Sequence, residues 1–192
     1  MAPAIMEPFV FRHLGVLMRI DVRGLELGPL ALKGEIPKSE LGFDPSEIQV
    51  LTQVQIDLIA ERQAFEVRIR GRLTAEVGLP CSRCLELVQF PVATEFDQFY
   101  ESNAEHPLHG EIALHESDTE IGFYSGDFIE VNDIAREQIL LSLPMKPICR
   151  EDCRGLCPHC GKNRNLKDCN CESVLVDPRL VQLLKIKNRM TF

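Results

Sequence analysis

The chain has 192 residues, 45% of them hydrophobic, and a formal net charge of −8, enough for one sizeable core with at most a small appendage. Its longest apolar runs, such as Ile139-Leu140-Leu141, fall far short of the roughly 20 residues of a membrane span. Met1 to Val10 has no basic residue ahead of an apolar stretch, so it does not read as a secretory signal. The acidity argues against a protein that coats nucleic acid over its whole surface.

That acidity is unevenly spread. From Pro144 onward ten Lys and Arg face five Asp and Glu, whereas the 143 residues before it carry eleven and twenty-four. An acidic body therefore carries a basic C-terminal quarter. The expected location is the cytoplasm, where thiols stay reduced, so the eight cysteines call for something other than disulfides.

In chain order, Val16 to Val22 reads as a strand, followed by loops punctuated by Gly24, Gly28-Pro29, Gly34, Pro37, Gly42 and Pro45. Ile48, Val50, Val54, Ile56 and Leu58 then alternate with mostly polar residues, the period of a half-buried strand. Phe65, Val67, Ile69, Leu73 and Val77 share one face, with Glu66, Arg68, Arg70, Arg72 and Glu76 on the other. Val88, Phe90, Val92, Phe96 and Tyr100 continue the alternation beyond Pro80-Cys81-Ser82-Arg83-Cys84, so this connection predicts an antiparallel hairpin in a purely antiparallel sheet with one wet face. The acidic, His-containing stretch Glu101 to Asp118 reads as a loop. Asn132 or Asp133 is placed to cap a helix running to about Leu143 and stopped by Pro144, with Ile134, Ala135, Ile139, Leu140 and Leu143 inward. Asp177-Pro178 opens a terminal helix that buries Leu180, Val181, Leu183, Leu184 and Ile186. The fold class expected is α+β: an antiparallel β-sheet with few helices and a C-terminal cysteine-rich zinc-binding module. The division is residues 1–143 for the sheet body and its helix, and 144–192 for the zinc module and terminal helix.

The cysteines run Cys81-x2-Cys84, Cys149-x3-Cys153-x3-Cys157-x2-Cys160 and Cys169-x-Cys171. Cys157-Pro158-His159-Cys160-Gly161 has the form of a zinc knuckle: two thiolates hold one metal, and the glycine lets backbone N–H groups turn toward sulfur. Six cysteines within a polar segment of twenty-three residues have little core to be buried in, which argues against ordinary core thiols. Eight ligands suit two sites, with zinc as the metal. The preferred division puts Cys157, Cys160, Cys169 and Cys171 on one zinc and Cys81, Cys84, Cys149 and Cys153 on the other. A division joining Cys149 and Cys153 to Cys157 and Cys160, with the hairpin pair free and one zinc bound, stays open.

Several segments together resemble the YceD-like family of large ribosomal RNA subunit accumulation proteins. They are Cys81-Ser82-Arg83-Cys84-Leu85-Glu86, Glu137 to Pro144 with Lys146-Pro147-Ile148-Cys149, Gly155-Leu156-Cys157-Pro158-His159-Cys160-Gly161, Asn163 to Asn165 with Cys169-Asn170-Cys171, and Asp177-Pro178-Arg179-Leu180. The resemblance covers about the C-terminal two thirds of the chain. It implies a non-enzymatic ribosome biogenesis factor that supports accumulation or processing of the large-subunit (23S) ribosomal RNA, with that RNA or a ribosomal protein as partner.

Other functions are weighed on their residues. A catalytic zinc keeps an open position and takes His or carboxylate ligands, and no His-Glu-x-x-His or His-x-Glu…Cys-x2-Cys arrangement is present. No phosphate-binding loop or nucleophile elbow occurs either, and no small-molecule substrate is expected. His106, His109 and His115 read as solvated loop residues, and His159 as an outward spacer. A zinc-ribbon nucleic-acid-binding regulator is one alternative. The basic residues around the knuckle, Arg150, Arg154, Lys162, Arg164 and Lys167, lack aromatic neighbours and suit phosphate contact, although they also suit a merely solvated module. A thiol or zinc redox sensor is the other alternative, but Cys81-x2-Cys84 lies between two strands rather than at the start of a helix. The Arg68, Arg70 and Arg72 row reads as a charged wet face, and Lys185, Lys187 and Arg189 as complements to the last helix dipole.

Overall fold

The computed structural model describes residues 18–103 and 121–171. The first residues of the Val16–Val22 strand, nearly all of the Glu101–Asp118 loop with its histidines, and the helix expected after Asp177 lie outside the described residues.

Three long antiparallel strands form the centre of the molecule: β4 (Val54–Gln63), β5 (Glu66–Pro80) and β6 (Leu87–Ser102). The shorter β2 (Leu30–Ile36) flanks β4, and β3 (Gln49–Val50) pairs with the far end of β5. Side-chain alternation dictates the register. Val67, Ile69, Leu73, Ala75, Val77 and Leu79 point to one face, opposite β6 residues including Tyr100, Val92 and Phe90. Gly71 belongs to the same row, and it must be glycine: a Cβ there would lie 2.5 Å from the Asp57 carbonyl and 2.7 Å from the Leu58 Cβ.

Two expectations are corrected here. Phe65 does not share the core face. It stands in the two-residue turn that closes β4 onto β5 and is 74% exposed, because the turn takes it out of the alternation. The sheet is also not purely antiparallel. β7 (Ile121–Tyr124) lies parallel to β6, with Phe99 opposite Ile121, and the chain between them is long enough for the crossover a parallel pair needs.

A second, two-stranded sheet pairs β1 (Arg19–Asp21) with β8 (Phe128–Glu130). The single α-helix among the described residues, α1 (Val131–Ser142), follows β8 directly and packs on β1, β5 and β6. It starts before the predicted Asn132 or Asp133 cap and has no side-chain cap; the Val131 N–H donates instead to the Met18 carbonyl at 2.9 Å. Asn132 is buried, and its Nδ2 donates to Glu40 Oε2 at 3.2 Å. Ile134, Ala135 and Ile139 are buried as expected from their spacing, but Leu140 is 46% exposed. It falls one position beyond the inward stripe that Val131, Ala135 and Ile139 set out. Among the described residues no helix is long and apolar enough to cross a membrane.

Candidate metal centres

The β5–β6 hairpin ends in the turn Cys81-Ser82-Arg83-Cys84-Leu85-Glu86. The Cys81 N–H donates to the Glu86 carbonyl at 2.9 Å, and the Leu85 N–H to the Cys81 carbonyl at 3.0 Å. Leu85 takes a left-handed φ of 62° to close it. The segment after the helix is laid across this turn. Ser82 N–H donates to the Pro147 carbonyl at 2.8 Å, and Leu156 N–H to the Arg83 carbonyl at 3.0 Å. The Arg83 guanidinium donates to the Glu151 and Cys153 carbonyls at 2.9 and 3.2 Å. Gly155 is left-handed at φ 69°, and a Cβ on it would stand 3.0 Å from the Arg83 carbonyl.

These interactions bring Cys81, Cys84, Cys149 and Cys153 together, with all four Sγ atoms within 4.8 Å of one another. Cys81 Sγ lies 3.9 Å from Cys153 Sγ, and Cys84 Sγ 3.7 Å from Cys149 Sγ. A disulfide would need about 2.05 Å. A tetrahedron with metal–sulfur bonds of about 2.3 Å has edges of about 3.8 Å. The sulfurs therefore have the spacing of metal ligands. Three of the four residues are buried and Cys149 is exposed.

The second group is Cys157, Cys160, Cys169 and Cys171, again with all Sγ atoms within 4.8 Å of one another. Its knuckle repeats the first. Cys157 N–H donates to the Lys162 carbonyl at 2.8 Å and Gly161 N–H to the Cys157 carbonyl at 2.9 Å, with Gly161 at φ 70° where the hairpin has Leu85. This group is more open: Cys157 is buried, Cys169 half-buried, and Cys160 and Cys171 exposed.

The electrostatics favour a bound cation. Burial pushes the Cys81 thiol up, but the Arg83, Cys84 and Cys149 amides outweigh it and bring it down to about 6. The Asn165 side chain holds Cys153 low. Cys149 is pushed up to about 12 by its hydrogen bond with Cys153, by burial, and by the Cys84 and Cys81 sulfurs. In the second group, the Cys160 and His159 amides bring Cys157 down to about 6, while the Cys160 sulfur and burial push Cys171 up to about 12. Each cluster thus pre-forms thiolate character on some sulfurs and resists it on their neighbours. Four thiolates at this spacing ionise together only around a positive charge, which a divalent metal supplies.

The basic residues separate into two kinds. Arg150 pairs with Asp152 at 3.3 Å and donates to Asn165 Oδ1, and Arg154 pairs with Asp168 at 2.6 Å. Lys162, Arg164 and Lys167 make no ion pair among the described residues. His159 is exposed. On the sheet, Arg68 is held by Asp97 at 2.6 and 2.8 Å and Arg72 by Asp57 at 3.2 Å, so most of that row is neutralised in place.

Arg83, Asn163 and Asn165 support the centres, and cysteine spacing does not single them out. Asn163 Nδ2 donates to Glu86 at 3.0 Å, and Asn165 Nδ2 to Cys153 Sγ at 3.3 Å. Their only signal in the sequence is position: polar residues set between ligand pairs, in segments that carry the family resemblance.

Comparison with known proteins gives one family. The family model described as "Large ribosomal RNA subunit accumulation protein YceD" matches residues 69–187, a span that includes all eight cysteines. The protein YlbN of Bacillus subtilis (strain 168) is 28% identical over 170 residues, covering 79% of this chain and 91% of its own length. ML1660 of Mycobacterium leprae (strain TN) is 27% identical over 154 residues, covering 78% and 69%. Rv2926c of Mycobacterium tuberculosis (strain ATCC 25618 / H37Rv) is 27% identical over 158 residues, covering 80% and 74%. No solved structure matches the chain.

Proposed function

The chain belongs to the YceD family, and from that premise we propose that it is a non-enzymatic ribosome-biogenesis factor of the cytoplasm that supports accumulation of the large-subunit (23S) ribosomal RNA. The carrying observation is that the family match spans both four-cysteine groups, each of which could hold a metal ion. Zinc suits both groups. Four thiolates form a closed tetrahedral set with no open position, the arrangement of structural zinc rather than of a catalytic site. When bound, the metal would supply folding energy to a segment that buries very little else.

RNA is the partner that the charge pattern favours. Lys162, Arg164 and Lys167 lie on and just after the second knuckle, without an ion pair among the described residues and with no aromatic side chain between them. Such cations neutralise phosphates and position a protein on RNA without reading bases. Arg150 and Arg154 instead support the module from within through Asp152, Asn165 and Asp168.

The test is recovery of tagged protein from cells, followed by probing for ribosomal RNA and by RNA binding across a salt series. The expected outcome is enrichment of large-subunit RNA, with affinity that falls as salt rises. Replacing Lys162, Arg164 and Lys167 by Ala should flatten the log–log salt slope by about 2 to 3, since each phosphate neutralised contributes roughly 0.7 to 0.9. Recovery of no large-subunit RNA or precursor particle overturns the assembly role. A salt-independent affinity overturns the phosphate interaction.

A further inference from the structure

The two centres are adjacent in sequence and share a residue that belongs to the loop of one and touches a ligand of the other. Asn165 sits between the ligand pairs Cys157/Cys160 and Cys169/Cys171, in the loop that the second site closes. Yet its side chain is spent on the first. Nδ2 donates to Cys153 Sγ at 3.3 Å, and Oδ1 accepts from the Arg154 N–H at 2.8 Å and from Arg150 Nη2 at 2.9 Å. Its own N–H donates to Asn163 Oδ1 at 2.9 Å, and Asn163 in turn reaches Glu86 at the end of the first knuckle. The Arg164 N–H closes the same seam by donating to the Gly155 carbonyl at 2.9 Å. Apart from the bond between Asn165 and Asn163, each of these hydrogen bonds ends on the first site's ligand loop or knuckle.

A donor on a metal-bound sulfur orients the ligand, and removing such a donor typically weakens metal binding by roughly 10–100-fold. Here the donor is held in place by a different metal's loop. We propose that the two four-cysteine sites load as a linked pair, Asn165 being the positioning residue through which filling of the Cys157/Cys160/Cys169/Cys171 site tightens the Cys81/Cys84/Cys149/Cys153 site. The inference rests on the metal-binding reading above and goes beyond it, since two independent sites would satisfy that reading equally. Linkage is reciprocal: the first site must tighten the second by the same factor.

The test uses the whole reduced protein loaded with cadmium, whose NMR spectrum resolves each four-thiolate site as its own resonance, under competition by a chelator. The second site is disabled by Cys160→Ser with Cys171→Ser, both exposed positions that leave no cavity. Retention of metal at the first site should then fall by roughly 10-fold or more. Asn165→Leu with the second site intact should produce a comparable fall. Asn165→Leu added to the disabled second site should produce little more, the non-additivity of groups acting through one another. Conversely, Cys149→Ser should weaken the second site. If the first site holds cadmium equally well whether or not the second is disabled, the linkage is overturned, and this comparison stands even if Asn165→Leu does not fold. If the Asn165 and second-site losses add in full, Asn165 supports Cys153 locally and the assigned route is wrong. A wild-type protein with no cadmium resonance overturns the metal reading itself, an outcome distinct from two resonances that titrate independently.

Discussion

Cys149→Ser separates the contribution of the metal from that of packing. Cys149 is exposed, whereas Cys81 is wholly buried, so serine at position 149 opens no cavity in the sheet. What disappears is one of four ligands in a site that joins the end of the β5–β6 hairpin to a segment 65 residues away. A ligand that binds only the folded state stabilises it by about 4 kcal/mol when present at a thousandfold excess over its dissociation constant. For a chain of this size each kcal/mol moves the midpoint by about 2–4 °C, so the loaded wild type should melt roughly 8–16 °C above the variant. The assay is thermal melting followed by circular dichroism of the sheet, with and without excess chelator. Chelator should bring the wild type down to the variant and leave the variant almost unmoved. Cys160→Ser should lower the sheet's midpoint less, because among the described residues the second site reaches the sheet through the first site and its turn. If Cys149→Ser and the metal-loaded wild type melt together, or if chelator shifts both alike, the metal does not clip the hairpin.

Three further sets of substitutions test the local reasoning. The knuckles share a left-handed closing residue, with Leu85 at φ 62° and Gly161 at φ 70°; among the described residues nothing lies within 4 Å of a Cβ built on Gly161. Gly161→Ala should therefore cost about 1 kcal/mol from conformation alone, and Leu85→Gly should be neutral or stabilising, both read from metal retention and melting. Gly71→Ala should cost about 1–3 kcal/mol or more in urea unfolding, since its Cβ would meet the backbone of β4; a midpoint equal to wild type contradicts the close approach. Arg68 holds the Asp97 carboxyl below its ordinary value. The pair thus contributes above the unfolded carboxylate pKa of about 4, and the contribution is lost as pH falls through the lowered folded value. Both side chains are partly exposed at 29% and 46%, so Asp97→Asn should cost only about 0.5–1 kcal/mol at neutral pH. The difference from wild type should vanish in strong acid, and a pH-independent cost would refute the charge origin.

The long hairpin was legible because one wet face and one dry face impose a period of two, which β5 and β6 keep for most of their length. Periodicity misleads where something other than burial sets the side chain's direction. At Phe65 the turn overrides alternation, and at the helix start the Val131 N–H is tied to the Met18 carbonyl, so the helix begins before Asn132 and without a side-chain cap. The parallel partner of β6 left no trace, because β7 is four residues long and strand pairing across a long connection is a tertiary choice. Cysteine spacing exposed both knuckles and favoured the division into fours that the structure shows, but it left a second division open. What joins Cys81 and Cys84 to Cys149 and Cys153, and not to the second knuckle, is backbone pairing of Ser82 with Pro147 and of Leu156 with Arg83, which spacing does not encode. Asn165 was hidden for a related reason: an asparagine between cysteines reads as a polar spacer until its amide is seen on a sulfur.

The segment from Cys149 to Cys171 buries only Cys153, Gly155 and Cys157. Apolar area of that size cannot offset the entropy of fixing the backbone, at about 1–2 kcal/mol per residue. The sheet has its own core, from Ile20 through Ile139, and no such deficit. On the proposed metal binding, order in the two parts has different sources: burial in the sheet, ligands and their hydrogen bonds in the module. The first site lies at their junction, with two ligands on a strand turn that burial already fixes and two on a loop that little else fixes. A pre-set half-site lowers the ordering cost of the other half. The second knuckle has no such support and leans on the first through residues 163–165. The cations Lys162, Arg164 and Lys167, without an ion pair among the described residues, all ride on that dependent part. On this account the presentation of positive charge to a partner depends on metal occupancy, while the sheet that carries it stays folded.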